Sequence, residues 1–533
     1  MTHTQNLIWN SFLPEGVYMP DGEPHVFNDR IYLFGSHDKE GGETYCMLPY
    51  EFYSAPVDDL TKWTSNGISY RADQDPLYNE KRCYMYAPDV VQGNDKRFYL
   101  YYQLAGYRGV GGYFGPISVA VSDRPDGPYE YLGFVRNADG TPHNEIVTFD
   151  PAVINDNGTI RLYYGTLYPY DEWKEMKEKD GKIFVDKAQA ETIKADDFDV
   201  TLVDKLEMEM FGRTKEQLEA ARTKYGSVMG PVTVTLAEDM LTVTSDIKRI
   251  TPYKTYGTEW QEHPFYEGSS IRKIGDTYYF IYSSLLNHEL CYATSLYPDR
   301  NFKFRGTIIS TGDIGLNGRK AKDRLNATGT THGSIEKIKD KWYVFYHRVT
   351  HGTDYSRQAL AEEIKIEEDG AIKQVEITSQ GLNGKPLPAK GEYPAGAACI
   401  ITNGNMPHGS NSEIKELIPM LINEDEDRFI TNISDGTWVG YRYFDIKDDT
   451  DLSVEIRVDK RELYSESKTE DKIESKIEIY DAIGGEVLGS KMVSDINDWH
   501  WMNIKTGLKI GKRAIFIKYS GDGFISIRKI RFS

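Results

Sequence analysis

A two-strand pattern that recurs five times along the first two thirds of the chain limits the fold more than any other feature. Its second member is an aromatic and aliphatic run: Ile31-Tyr32-Leu33-Phe34, Phe98-Tyr99-Leu100-Tyr101, Arg161-Leu162-Tyr163-Tyr164, Tyr278-Tyr279-Phe280-Ile281 and Trp342-Tyr343-Val344-Phe345. Such residues suit a pleated, buried surface, so each run reads as a strand. Four follow a turn, at Asn28-Asp29, Asn94-Asp95, Asp156-Asn157-Gly158 and Gly275-Asp276, and the fifth follows Lys339-Asp340. A shorter strand precedes each turn: His25-Val26-Phe27, Asp89-Val90-Val91, Ala152-Val153-Ile154, Ser270-Ile271-Arg272 and Ser334-Ile335-Glu336. Several hairpins gain a third strand, as in Ile117–Ser122 and Leu290–Ser295. Repeated units of three or four antiparallel strands are the sequence form of β-propeller blades. Five copies predict five blades; a sandwich or an irregular β-domain would not recur so regularly.

The pattern is interrupted once, over about residues 168–262. There Thr214-Lys215-Glu216-Gln217 forms a capping box and Gly226 ends the helical stretch that follows. Pro231–Thr235 and Leu241–Thr244 alternate like a hairpin. The insertion is therefore expected to complete the third blade and to add a helical lobe walling a pocket, which would favour terminal sugars. Residues 380–396, rich in Gly, Pro and Lys, mark a domain edge. The expected organisation is a propeller in 1–390 and a jelly-roll-like β-sandwich in 391–533, with strands such as Ser453–Val458 and Ala514–Lys518. The fold class is all-β.

Composition narrows the partners. Among 533 residues, 63 Lys and Arg face 82 Asp and Glu, a net charge of -19. So acidic a surface repels phosphate backbones and anionic lipid, and no nucleic-acid or membrane partner is expected. No run approaches the roughly 20 apolar residues of a membrane span. Cys46, Cys83, Cys291 and Cys399 form no CxxC, which argues against a zinc site or a disulfide framework. The opening MTHTQNLIWNSFLPEG lacks a basic region followed by an apolar core, so a cytoplasmic location is expected.

Propellers set the first strand of each blade around a central axis. Ten or eleven residues before each hairpin's second strand stand Asp21, Ala87 or Pro88, Asp150, Glu267 and His332. Three carboxylates and an imidazole would thus ring the axis, a repulsive cluster that proteins keep for chemistry or a cation. Paired carboxylates perform glycoside hydrolysis; oxygen ligands suit calcium. Both readings stand on the spacing alone.

The longer motifs are Pro20-Asp21-Gly22-Glu23-Pro24-His25-Val26-Phe27, Gly35-Ser36-His37-Asp38, Tyr86-Ala87-Pro88-Asp89, Asp150-Pro151-Ala152-Val153, Glu267-Gly268-Ser269-Ser270-Ile271, His332-Gly333-Ser334 and Tyr346-His347-Arg348. Asp59-Leu60-Thr61-Lys62-Trp63 and Asp126-Gly127-Pro128-Tyr129 are minor blade signatures. Over roughly residues 10–380 the sequence resembles glycoside hydrolase family 43, the five-bladed arabinofuranosidases and xylosidases. The resemblance implies an inverting hydrolase with Asp21 as general base, Glu267 as general acid, and Asp150 orienting the acid and raising its pKa. It implies Asp38, Tyr86, Asp89, His347 and Arg357 as substrate-binding residues. His332 would lie near a calcium ion or water on the axis, calcium being the one cofactor implied. The expected substrate is an oligosaccharide or a polysaccharide side chain ending in α-L-arabinofuranose or β-xylose. Galactofuranose or galactose release uses the same apparatus. A non-catalytic carbohydrate-binding propeller and a metal-organised scaffold are the rival classes. Gly22 replaces the family's usual Pro, and Tyr86 stands for Trp, which should change sugar contacts rather than the reaction. The C-terminal sandwich resembles a family 6 carbohydrate-binding module through Ile433–Tyr441 and Asp498-Trp499-His500-Trp501. Trp438, Trp499 and Trp501 are its candidate sugar platforms, or else core aromatics.

Overall fold

In the computed structural model the described residues are 7–109, 111–167, 182–186, 191–194, 213–409, 417–424, 427–459 and 475–533. Five antiparallel sheets form the propeller. Blade one comprises Glu23–Phe27, Arg30–Phe34, Tyr53–Pro56 and Thr64–Ser65, and blade two Tyr84–Gln92, Phe98–Ala105, Ser118–Ser122 and Glu130–Phe134. Blade four comprises Phe265–Ile274, Thr277–Ser284, Glu289–Ser295 and Lys303–Ser310. Blade five has three strands, Ser334–Ile338, Lys341–Thr350 and Thr353–Ile364. The first strands pack side by side in blade order, and the fifth returns to the first, where Gly22 bridges Gly333 in parallel. The ring is closed.

The repeated aromatic runs are the second strands, and their burial explains them. Leu33, Phe34, Tyr101, Tyr163, Phe280 and Phe345 are all essentially inaccessible and fill the spaces between blades. Each such side chain is worth about 1.5–3 kcal/mol when removed from water, so a polar substitution in any one run would loosen the packing between adjacent sheets.

Blade three is completed by the insertion, one of the two roles expected of it. Ala152–Asp156 and Thr159–Tyr164 pair with Val232–Leu236, which lies beyond the interruption, and Lys248–Arg249 closes the sheet. Leu241–Thr244, expected as a strand, contributes only isolated bridges, Leu236 with Val243 and Arg136 with Thr242. The helix Lys215–Tyr225 is capped as its sequence predicts: Gln217 N–H donates to Thr214 Oγ1 at 3.3 Å, the Gln217 side chain returns to the Thr214 N–H, and Gly226 takes a left-handed φ of 80°. It is the one α-helix among the described residues. Much of the expected helical lobe, residues 168–181, 187–190 and 195–212, lies outside them.

From Leu387 onward two six-stranded sheets form a sandwich around Ile430, Tyr441, Val454, Ile479 and Ile527. Ile400 and Phe516 extend its packing onto Ile281, Tyr292 and Tyr346 of blades four and five. Arg348 donates to the Ala398 and Gly396 carbonyls at 2.6 and 3.0 Å, and Arg442 pairs with Asp313 at 2.6 Å. The sandwich thus buttresses the propeller. Its tryptophan faces are occupied by cations: Arg457 and Arg528 lie 4.9 and 4.8 Å from the Trp499 centroid, and Arg531 lies 3.9 Å from that of Trp501. Trp438 packs on Tyr480 at 4.9 Å, with Lys518 over it. As sugar platforms these rings would first have to shed their side-chain partners.

Candidate active site

The residues that open the first strands converge on one pocket. Asp21, Asp150, Glu267 and His332 line it, together with Tyr86 and Arg357. Local backbone departures aim them. Asp21 and Asp150 hold positive φ, 57° and 48°, at corresponding points of blades one and three. For a residue other than glycine this costs of order 1–3 kcal/mol and persists only where the surroundings enforce it. His347 Nδ1 enforces it at Asp21 by accepting the Asp21 N–H at 3.2 Å. The pairing register slips between Glu267 and Ser270, and again between Tyr86 and Asp89. These bulges turn Glu267 and Tyr86 toward the axis. Gly268 sits in the first bulge at φ 70°, donates its N–H to Asp150 Oδ2 at 3.0 Å, and lies under the His332 ring. A Cβ there would approach that ring to 3.1 Å, so the position requires glycine.

The carboxyls are pushed apart in acidity. Burial opposes charge on Asp21, but Arg357, whose Nη1 donates to Asp21 Oδ1 at 2.9 Å, leads the groups that hold this carboxyl below its ordinary value. His347 and His332 act in the same direction, yet burial holds both imidazoles neutral, so Arg357 is the deciding charge. Burial raises Glu267 to about 8, with the Asp21 charge as the next cause. Burial also raises Asp150, followed by Glu267 and Asp21, against the pull of the Gly268 N–H. Glu267 and Asp150 titrate as a pair that keeps a proton at neutral pH. Burial is the leading cause for both members, and the repulsion between Asp150 and Glu267 adds to it.

Three residues expected to touch substrate stand behind the pocket instead. Asp38 is buried and grips Arg357, accepting from Nε at 2.8 Å and Nη2 at 3.0 Å. It also accepts the Cys46 N–H, and so positions the guanidinium that faces Asp21. Asp89 is fully buried where blades one, two and three meet, accepting from Val90 N–H and Val153 N–H at 2.7 Å and bonded to His25 Nε2 at 2.7 Å. His347 supports the Asp21 backbone. Each is polar because a buried backbone group or charge needs a partner, a requirement that looks like a ligand contact in sequence. Tyr86 and Arg357 do line the pocket. His332 lies 3.9 Å from Asp21 Oδ1, 3.8 Å from Asp150 Oδ2 and 3.9 Å from Glu23 Oε1.

Residues that the repeat does not reveal complete the walls: Tyr45, Arg108, Tyr113 and Phe149 from loops, and Tyr266 from the first strand of blade four. Tyr113 stacks on Phe149 at 4.8 Å. Among the described residues the insertion contributes no wall; the loop after the second strand of blade two does so instead. An ionised carboxylate and a protonated one in the same aromatic-walled pocket can act as base and acid on a neutral sugar.

The sequence profile described as glycosyl hydrolases, family 43, matches residues 20–212 and 224–372. The chain belongs to that family. Each of the four ionisable groups around the pocket lies inside the matched segments. As a family 43 member the chain is a glycoside hydrolase. It is 36% identical to a xylosidase/arabinosidase of Thermoclostridium stercorarium over 98% of both chains, so the likeness includes the sandwich. A xylosidase/arabinosidase of Humicola insolens is 25% identical over 67% of this chain and 96% of its own. Among solved structures, a β-xylosidase/α-arabinofuranosidase from a compost metagenome covers 70% of this chain and 98% of its own at 21% identity and a TM-score of 0.48.

Proposed function

We propose that this glycoside hydrolase removes terminal xylose or arabinofuranose units from oligosaccharides with inversion at the anomeric carbon. The observation that carries the reading is the opposed ionisation of Asp21 and Glu267 in one pocket. The pentose assignment is supported by the Thermoclostridium relative, similar along its whole length. In this scheme ionised Asp21 takes a proton from the attacking water while Glu267 gives its proton to the leaving oxygen. Arg357 keeps Asp21 ionised, and Asp38 holds Arg357 in place. Nitrophenyl β-xyloside and α-L-arabinofuranoside, assayed beside galactosides, test the sugar. Turnover of a galactoside alone would move the chain to the galactose-releasing alternative, and sugar binding without turnover would make it a binding propeller.

Calcium belongs to the same proposal. His332 Nε2 and Glu23 Oε1 are buried atoms without hydrogen-bond partners, 3.9 Å apart, and His25 and Asp89 place further donor atoms beside Glu23. Glu23 Oε1 and His332 Nε2 are the open donors of this set, Asp89 and His25 being bonded to each other, so water would supply most of a hard cation's oxygens. Such an ion would supply positive charge that favours ionised Asp21. A chelator should then lower the melting temperature and added calcium restore it, as read by differential scanning fluorimetry. A melting curve that neither treatment moves would remove calcium from the scheme.

A further inference from the structure

We infer that Arg108 selects substrates bearing a carboxylate on the leaving side of the scissile bond, such as an oligosaccharide with a hexuronic acid next to the terminal pentose. The inference rests on the glycosidase reading of the pocket and adds a substrate class to it.

Arg108 is one of two arginines in the pocket wall. The other, Arg357, is fully committed to Asp21 and Asp38. Arg108 makes no ion pair among the described residues, and its half-buried side chain carries an Nε that is inaccessible and without an acceptor. Buried Nε atoms of Arg319 and Arg428 also lack acceptors, but of these three arginines only Arg108 lines the pocket, where a ligand could supply the oxygen. The backbone makes the choice of residue more pointed. Arg108 has φ 52° and ψ 36°, a conformation a glycine adopts without strain, and Gly106 and Gly109 flank it. Its N–H donates to Thr44 Oγ1 at 2.9 Å, which fixes the strained turn. Its guanidinium carbon lies 5.3 Å from the Tyr107 ring centroid and 5.4 Å from that of Tyr355. The fork is thus pre-positioned at the pocket yet lacks an acceptor of its own.

A planar fork with free donors matches a carboxylate better than a single hydroxyl. The place of that carboxylate follows from charge. Ionised Asp21 and the Glu267–Asp150 pair repel an anion at the pocket floor, so the sugar being cleaved must be neutral. Tyr107, adjacent to Arg108, is 50% exposed, so Arg108 stands where the pocket wall meets solvent, the side toward which the leaving portion would extend. The acid therefore belongs to the leaving portion.

The test uses the full chain and two xylo-oligosaccharides that differ only in whether the uronic acid beside the terminal xylose is a carboxylate or its carboxyl-reduced alcohol. Wild type should favour the acid by about tenfold or more in kcat/KM, mainly through KM, as charge-assisted hydrogen bonds allow. Raising the salt should shrink the preference. In Arg108→Gln the ratio should fall to about one, while Arg108→Lys should retain some of it. A ratio near one in wild type, or an unchanged ratio in Arg108→Gln, overturns the inference. Should wild type hydrolyse neutral pentosides without that preference, the glycosidase reading stands alone; if it hydrolyses no glycoside, both fall.

Discussion

Asp21→Asn should lower kcat by roughly 10²–10⁴-fold on every substrate, whatever its leaving group. Water must be activated in each turnover, and Asp21 is the ionised carboxylate of the pocket, with Arg357 at 2.9 Å. An asparagine keeps an oxygen for that guanidinium but cannot accept the proton. The fold should survive, because Asp38 still holds Arg357 through two hydrogen bonds and His347 still accepts the backbone N–H. Circular dichroism would check this. The base works only when ionised, so wild-type kcat/KM should fall as pH drops through the Asp21 pKa. Since Arg357 holds that pKa below the usual carboxylate value, the acid limb should lie correspondingly low. A variant that kept its rate on nitrophenyl glycosides would show that Asp21 is not the base.

Much of this architecture is legible in the sequence because burial in a propeller is repetitive. Runs such as Tyr278–Ile281 must fill the same gap in every blade, so the composition recurs at each second strand. Blade three shows where that logic ends. Its closing strand, Lys248–Arg249, is a two-residue pairing of one exposed and one half-buried cation, whereas Leu241–Thr244 alternates well yet makes only single bridges. Alternation reports a half-buried surface, and a loop pressed against Gly133 and Arg136 satisfies it as well as a strand does.

The site divides in a similar way. Asp21, Asp150, Glu267 and His332 are readable because symmetry brings equivalent positions to the axis, whatever lies between them. Asp38, Asp89 and His347 carry the same chemistry in the same motifs, but their partners are Arg357 and backbone N–H groups. Only geometry separates a group that meets the ligand from one that holds such a group in place. Tyr45, Tyr113 and Arg108 lie in loops that have no counterpart from blade to blade, so the repeat is silent about them. The glycines of Gly106-Tyr107-Arg108-Gly109 are the available signal, since a turn built for glycine that carries an arginine is a local inconsistency.

Glu267→Gln should split substrates by leaving group. Glycosides with poor leaving groups, including oligosaccharides, should lose roughly 10²–10⁴-fold, because their departing oxygen needs a proton. Dinitrophenyl glycosides, whose phenolate departs readily, should lose little. The pH profile carries the same information. Glu267 is held at about 8 by burial and then by Asp21, so wild-type activity should decline on the alkaline side as that proton is lost. In Glu267→Gln, assayed with dinitrophenyl substrate, this limb should vanish. Asp150→Asn should move it downward, because removing the carboxyl that titrates with Glu267 makes Glu267 easier to ionise. Stability gives an independent check. A carboxyl raised from 4.5 to about 8 retains its proton in the folded state, so it costs the protein stability as pH rises through that window. Replacing it with glutamine removes the cost, and the melting temperature of the variant at pH 9 should exceed that of wild type. If the variant lost activity equally on all leaving groups, Glu267 would not be the acid. NMR of the first-formed sugar completes the assignment, for a base and an acid acting through one water must invert the anomeric centre. A retained configuration would mean that one of these carboxylates attacks carbon directly.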